Sequence, residues 1–371
     1  MTNPRFPVNP VMPNAGAGAE QPANRRTFLR GAAGLGLAAG AVGITSRRVS
    51  SQDHEHGTGT PDAADPNGSY VGSDSTTRGN TGAATPVPSQ EIQPFTPYDP
   101  YLQPVQPGPK NISIACLDQT VYIAKDTPYA GWTFNGTIPG PVLRAVEGDS
   151  ITTTIRNDAA LTHSLDFHSA RVNPERGYRN LQPGEAFEWS FQAKYPGAYM
   201  YHCGTAPVLM HIAAGMYGAM IVDPKEGWPT AQDLVFVQSE FYVMEGDGGV
   251  MVPDAEALFG MGNMKYMSFN GYANQYVEFP IRVRVGEPIR IFVVNCGPNV
   301  WSSFHVVGAI FDRVYLNANP KNEMVGMQGI SIGPGDGACV EFTLDEPGTY
   351  PAVNHSFGHA AHGAIALLRA E

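Results

Sequence analysis

The chain has 371 residues, a length that as a prior points to two domains. Its 34 Asp+Glu against 23 Lys+Arg give a net charge of −11, which argues against nucleic acid or an anionic membrane as partner and suits a basic protein better. With 42 Gly, 32 Pro and only 15% charged residues, the composition favours many short strands and turns over long helices.

The first segment, residues 1–48, is polar until Arg25-Arg26-Thr27-Phe28-Leu29-Arg30, which precedes a small apolar run from Gly31 to Ile44. The pattern resembles a twin-arginine export signal, and the run is too short to span a bilayer comfortably. Export to the periplasm, or at least out of the cytoplasm, is the expectation, with no transmembrane anchor. Residues 49–104 are Gly, Ser, Thr, Asp and Pro with few aliphatic residues. Such a stretch cannot bury a core and is expected to be a disordered tether. His54 and His56 form an H-x-H in it, read as incidental.

The rest contains an internal repeat. The first copy has Trp132-Thr133-Phe134-Asn135-Gly136, then Val146-Glu147-Gly148-Asp149, then the alternating run from Ile151 to Asn157. The second has Met267-Ser268-Phe269-Asn270-Gly271, then Val285-Gly286-Glu287, then Ile289 to Asn295. Pro183-Gly184-Glu185 and Pro196-Gly197 recur as Pro334-Gly335-Asp336 and Pro347-Gly348. Two copies of one Greek-key β-sandwich, residues 105–228 and 229–371, are the expectation, with the seam near Asp223 to Pro229.

The chemistry concentrates between Tyr201 and Met220. Cys203, His211 and Met216 stand in the order Cys-x7-His-x4-Met, and thiolate, imidazole and thioether together are the ligands of a blue copper site. A lone His-Cys pair is most simply a buried thiol beside a surface His; the further His and Met in register favour copper. His163, in Thr162-His163-Ser164-Leu165-Asp166-Phe167-His168, is the best remaining ligand.

Adjacent residues of a strand face opposite ways, so His202 cannot share the metal of Cys203. His163 and His168, five apart, are split likewise. One face then collects His163, Cys203, His211 and Met216; the other collects His168 and His202 with Asp166 beside them. A second metal there needs a third ligand, and the second copy offers His305 and His355. Asn354-His355 is read as the counterpart of His202-Cys203, and His359 and His362 are read as bystanders. Cys116, Cys296 and Cys339 are read as buried thiols, with a Cys296–Cys339 disulfide as the alternative.

The motifs THSLDFH, YHCGTAPVLMHIAAGMYG, SSFHVVG and VNHS, in that order, resemble the copper-containing nitrite reductases, in their compact-loop branch, from about Asn111 to Arg369. The resemblance implies an all-β fold of two tandem cupredoxin-like Greek-key β-sandwich domains. It implies two copper ions per chain: type 1 on His163, Cys203, His211 and Met216, and type 2 on His168, His202 and His355. In this family the type 2 site lies between subunits of a homotrimer, so His355 would come from a neighbouring chain. Asp166 and His305 would be the catalytic pair, and Val307 would wall the substrate pocket. The implied reaction reduces nitrite to nitric oxide with one electron from a separate cupredoxin or c-type cytochrome. Ile310 stands where relatives of the longer-loop branch carry a channel His. A laccase-like multicopper oxidase would need eight His, mostly in H-x-H pairs, and a plain blue-copper carrier would leave Asp166, His168, His202, His305 and His355 unexplained.

Overall fold

The computed structural model describes residues 84–89, 92 and 94–371. The twin-arginine motif, most of the expected tether, and His54 and His56 lie outside the described residues. The first sandwich is built from β1 (Lys110–Ala124), β2 (Thr127–Phe134), β3 (Leu143–Val146), β4 (Ser150–Asn157), β5 (Asp166–Phe167), β6 (Ala186–Gln192), β7 (Gly197–His202) and β8 (Tyr217–Asp223). The second begins with β9 (Gln232–Phe241); β10 (Val243–Glu245) and β11 (Met251–Pro253) then return to the first sandwich's sheet beside β2, and the second resumes with β12 (Tyr266–Phe269), β13 (Ile281–Val283), β14 (Ile289–Asn295) and β15 (Ser302–Val306). It continues with β16 (Phe311–Leu316), β17 (Glu323–Met327), β18 (Ile330–Ile332), β19 (Gly337–Phe342), β20 (Gly348–Asn354) and β21 (Ile365–Ala370). Helices are short: α1 (Pro174–Gly177), α2 (Val208–Ala213), α3 (Ala255–Phe259), α4 (Gln275–Glu278) and α5 (Phe357–Ala361).

The repeat is realised in four strands of each sheet. The order β2-β1-β4-β6 recurs as β12-β9-β14-β19, and β3-β8-β7-β5 recurs as β13-β21-β20-β15. In both copies the first strand runs parallel to the fourth, β1 with β4 and β9 with β14. The Asn-Gly pairs make the same hairpin turn twice, with φ of 56° and 79° at Asn135-Gly136 and 60° and 86° at Asn270-Gly271. Positive φ at both central residues is what a type I′ turn demands, and Asn-Gly is the pair that supplies it at least strain.

Burial explains where the sequences of paired strands diverge. In β4 only every second residue, Ile151, Thr153, Ile155 and Asn157, is buried, because the other face meets solvent. Its counterpart β14 is buried throughout: Ile291 and Val293 enter the second sandwich's core, while Phe292 and Val294 enter a separate cluster. That cluster also holds Met200, Tyr217, Ala219 and Ile221 from β7 and β8, and is the seam between the sandwiches. Strands covered on both faces are apolar without alternation. At the seam Gly337 lies so close to β7 that an added Cβ would stand 2.2 Å from the Ala198 carbonyl oxygen. Arg290, 2% exposed, is ion-paired to Asp233 and Glu341 at 2.7 Å each and lies over the Trp228 ring.

The C-terminal end of the stretch read as a tether is attached to the second sandwich. Tyr101 bridges to Leu234, the Leu102 amide donates to the Asp233 carbonyl at 3.0 Å, and Tyr98 and Leu102 pack on the seam cluster. Its few apolar side chains stand in a Pro-rich background that on composition favours a tether. All four cysteines are buried free thiols, so the disulfide alternative for Cys296 and Cys339 is not realised.

Candidate metal centre

The side chains separate onto the two faces that the parity argument expects. Strand β7 ends at His202, and Asp166 on β5 stands directly opposite it in the ladder. Cys203, the next residue, points the other way into the first core. Two groups of donor atoms result among the described residues: His163, Cys203 and His211, and Asp166, His168 and His202, each with its atoms within 4.8 Å of one another.

In the first group His163 and Cys203 are fully buried and His211 is 4% exposed. Cys203 Sγ lies 3.2 Å from His211 Nδ1 and 4.0 Å from His163 Nδ1. His163 is fixed by two backbone hydrogen bonds with Leu181, and its ring lies edge-on to Trp132. Helix α2 carries His211 and returns the chain to Met216, whose amide donates to the His211 carbonyl and whose carbonyl accepts from the Cys203 amide. The Met216 side chain is fully buried.

The protonation states are those of ligands. Burial alone would raise the Cys203 thiol, but the His163 imidazole and the Thr205 and Ser164 amides outweigh it and hold the thiol below its usual value. Burial pushes His211 down to about 4, so its imidazole stays neutral. His163 Nε2 is buried without a hydrogen-bond partner, and Nδ1 has only a sulfur at the outer limit of contact. A buried imidazole so poorly satisfied within the protein fits one whose Nδ1 binds a metal. A thiolate, two imidazoles and a thioether suit copper.

The second group is half open. His202 is buried, Asp166 half-buried and His168 exposed. His202 Nδ1–H donates to the Cys203 carbonyl at 2.9 Å, which fixes the tautomer and leaves Nε2 with its lone pair. Burial and the neighbouring His168 push the His202 imidazole below its ordinary value. The two Nε2 atoms are 3.0 Å apart, and Asp166 Oδ2 is 3.8 Å from that of His202. Two imidazoles on one divalent ion at ~2.0 Å stand roughly 3 Å apart, so the pair fits a metal as it stands.

His355 is not in that group. It lies exposed at the end of β20, beside His305 with ring centroids 5.5 Å apart, on a cleft of about 330 Å³ lined also by Ser303, Gln328 and Ile330. His305 Nδ1–H donates to the Gln328 carbonyl. Val307 and Ile310 are exposed nearby in sequence, at 43% and 61%.

One counterpart is corrected. Asp166 pairs with His202 in the first sandwich, and His305 pairs with Val353 in the second. The Cys203 amide donates to Met216 O, and the Asn354 amide to Ala364 O. Asn354 is thus the counterpart of Cys203, one residue from the sequence reading, and His355 matches Gly204. The counterpart is fixed by the strand register, which no side chain of VNHS marks. Sequence reasoning also missed Ser164, whose Oγ accepts from the Gly204 amide at 3.0 Å and lies 3.7 Å from Cys203 Sγ. Its place inside THSLDFH, next to His163, was the available signal.

A multicopper oxidase family model matches residues 116–227. The copper-containing nitrite reductase of Neisseria meningitidis serogroup A is 35% identical over 293 residues, covering 76% of this chain and 75% of that protein. Among solved structures, a copper nitrite reductase from Nitrosomonas europaea is 36% identical, with a TM-score of 0.67 over 71% of this chain and 94% of the other. A copper-containing nitrite reductase from Thermus scotoductus, also 36% identical, aligns with a TM-score of 0.64 over 71% of this chain and 62% of its own.

Proposed function

Because this chain belongs to the copper-containing nitrite reductase family, we propose that it reduces nitrite to nitric oxide, NO2− + e− + 2H+ → NO + H2O, using two copper ions per chain. His163, Cys203, His211 and Met216 would hold type 1 copper. His168 and His202, with His355 of a neighbouring copy in a homotrimer, would hold type 2 copper. Bound at the second site, copper supplies the electron and a Lewis-acid position for nitrite oxygen.

The observation that carries the reading is the split at His202-Cys203. One peptide bond separates a buried thiolate site from a half-open site lined by a carboxylate. His202 and Cys203 thus give a short covalent path between the two. Asp166, beside His202 Nε2, is placed to protonate the oxygen that leaves as water. His305 has its Nδ1 committed to Gln328, so its Nε2 is open to hold and pass the second proton. Lying beside His355, it would arrive with that residue from the neighbouring copy. The exposure of His355, outside the Asp166 group of its own chain, supports a shared site.

The electron would come from a separate cupredoxin or c-type cytochrome. Export by the twin-arginine route to the periplasm completes the proposal. No helix among the described residues is long and apolar enough to cross a membrane.

The test is copper per chain and nitric oxide release from nitrite with a reduced artificial donor, in wild type and His355→Ala. Two coppers in wild type, and a variant that keeps its colour but loses one copper and the activity, are expected. One copper and no nitric oxide from wild type would overturn the reading.

A further inference from the structure

The second sandwich has no thiolate, yet it keeps the frame of the first one's metal centre. Met216 N donates to His211 O at 3.1 Å, and Ala364 N to His359 O at 3.2 Å. Ser164 N donates to Cys203 Sγ at 3.4 Å, and Ser303 N to Asn354 Oδ1 at 3.1 Å. Gly215 and Gly363, just before Met216 and Ala364, share the same φ, 120° and 119°. His163, Cys203, His211 and Met216 therefore map onto Ser302, Asn354, His359 and Ala364. Cys203 Sγ is 3.2 Å from His211 Nδ1, and Asn354 Nδ2 is 3.2 Å from His359 Nδ1.

A hydrogen-bond hub occupies the place of the metal. Asn354, Gln238 and Ser302 are fully buried. Gln238 Oε1 accepts from Ser302 Oγ at 2.7 Å and from Asn354 Nδ2 at 3.2 Å. Asn354 Nδ2 also reaches the Trp301 carbonyl at 3.2 Å. On its other side Asn354 Oδ1 accepts from Ser303 N and, across His355, from Ser356 N at 3.2 Å. The His355 amide itself donates to Ser303 O at 2.6 Å. One side chain thus ties β15, which carries His305, to the turn that carries His355.

We infer that Asn354 is a positioning residue for the second copper site, holding His355 in place beside His305 by hydrogen bonds where the first sandwich uses a metal. The inference rests on the proposed function, in which His355 completes that site. Apolar replacement of a buried hub leaves the amides of Ser303 and Ser356 without their acceptor, and the turn loses its fixed direction.

The test compares wild type, Asn354→Leu, Asn354→Asp and His355→Ala. It reads the dissociation constant of the second copper, its electron paramagnetic resonance signal, the type 1 absorption band and Tm. Asn354→Leu is expected to weaken the second copper about 10- to 100-fold, the usual cost of losing a ligand's orienting partner, and to broaden its signal while the type 1 band is unchanged. Asn354→Asp keeps an acceptor for both amides and is expected to recover most of the affinity. Equal second-copper affinity in wild type and Asn354→Leu, with His355→Ala deficient, would overturn the positioning role alone. A fall in Tm and affinity that Asp does not rescue would also overturn it. A second copper insensitive to His355→Ala would instead overturn the parent reading. If Asn354→Leu does not fold, Asn354→Ala, which removes the same acceptor with a smaller side chain, is measured in its place: a weakening of about 10-fold or more supports the role, and unchanged affinity overturns it.

Discussion

Glu240 on β9 is 1% exposed, and its Oε2 has no hydrogen-bond partner. Its Oε1 accepts from the Asn299 and Val300 amides, the latter at 3.0 Å. Burial outweighs those amides and the nearby Tyr242 hydroxyl and pushes the carboxyl up to about 7 from its usual 4.5. Below the usual value the group is protonated folded and unfolded alike, and it costs nothing. Between 4.5 and about 7 the unfolded chain gives up the proton while the folded chain keeps it, so stability falls as pH rises. Above the folded value the whole penalty stands, about 3 kcal/mol at ~1.4 kcal/mol per pKa unit. Glu240→Gln keeps the Oε1 acceptor and cannot ionise. Any cost of its buried NH2 is the same at every pH, so the difference between two pH values isolates the charge. About 1 kcal/mol of the penalty already stands at pH ~5, so the gain in Tm over wild type is expected to be larger at pH ~8.5 by roughly 5 °C, from about 2.5 kcal/mol at roughly 2 °C per kcal/mol. Thermal melts followed by circular dichroism at equal copper loading read it. The same gain at both pH values would mean that the carboxyl does not change ionisation in that window, and the reasoning would fail.

Asp166→Asn is expected to keep both coppers and the type 1 colour while nitric oxide formation falls ~100-fold or more, the scale of a lost general acid; copper analysis with steady-state rates checks it, and an unchanged rate would remove Asp166 from the proton path. Gly337→Ala is expected to lower stability by ~1–3 kcal/mol, because the new methyl meets the Ala198 carbonyl where two packed backbones must separate; a melt of the variant reads this directly, and a Tm within error of wild type would show that the seam yields.

The first centre was legible because its chemistry is local. Cys203, His211 and Met216 sit on one loop, and period-two alternation alone assigns His202 and Cys203 to opposite faces. His163 and His168 followed from the same parity. The second sandwich was legible as a repeat but not in register. The strand ladder aligns Val353 with His202, and no side chain of VNHS announces it. His359, read as a bystander, contacts Asn354 because a helical turn of α5 folds it back, a contact set by tertiary packing. The anchoring of Tyr98 and Tyr101 was hidden for a related reason: a segment poor in apolar residues can still dock when a finished sheet edge waits for it.

The seam cluster gives the duplicated chain a property that neither half has alone. Tyr217 and Ile221 of one sandwich and Val235 and Phe292 of the other are buried in one shared cluster. The halves are therefore not beads on a string but two sides of one solid. Strand β7, whose end carries His202, rests through this layer on the sheet of the second sandwich, so the edge of one half that carries both donor groups is braced by a half that carries neither. A duplicate without a Cys-His-Met constellation of its own is left with the work of a buttress.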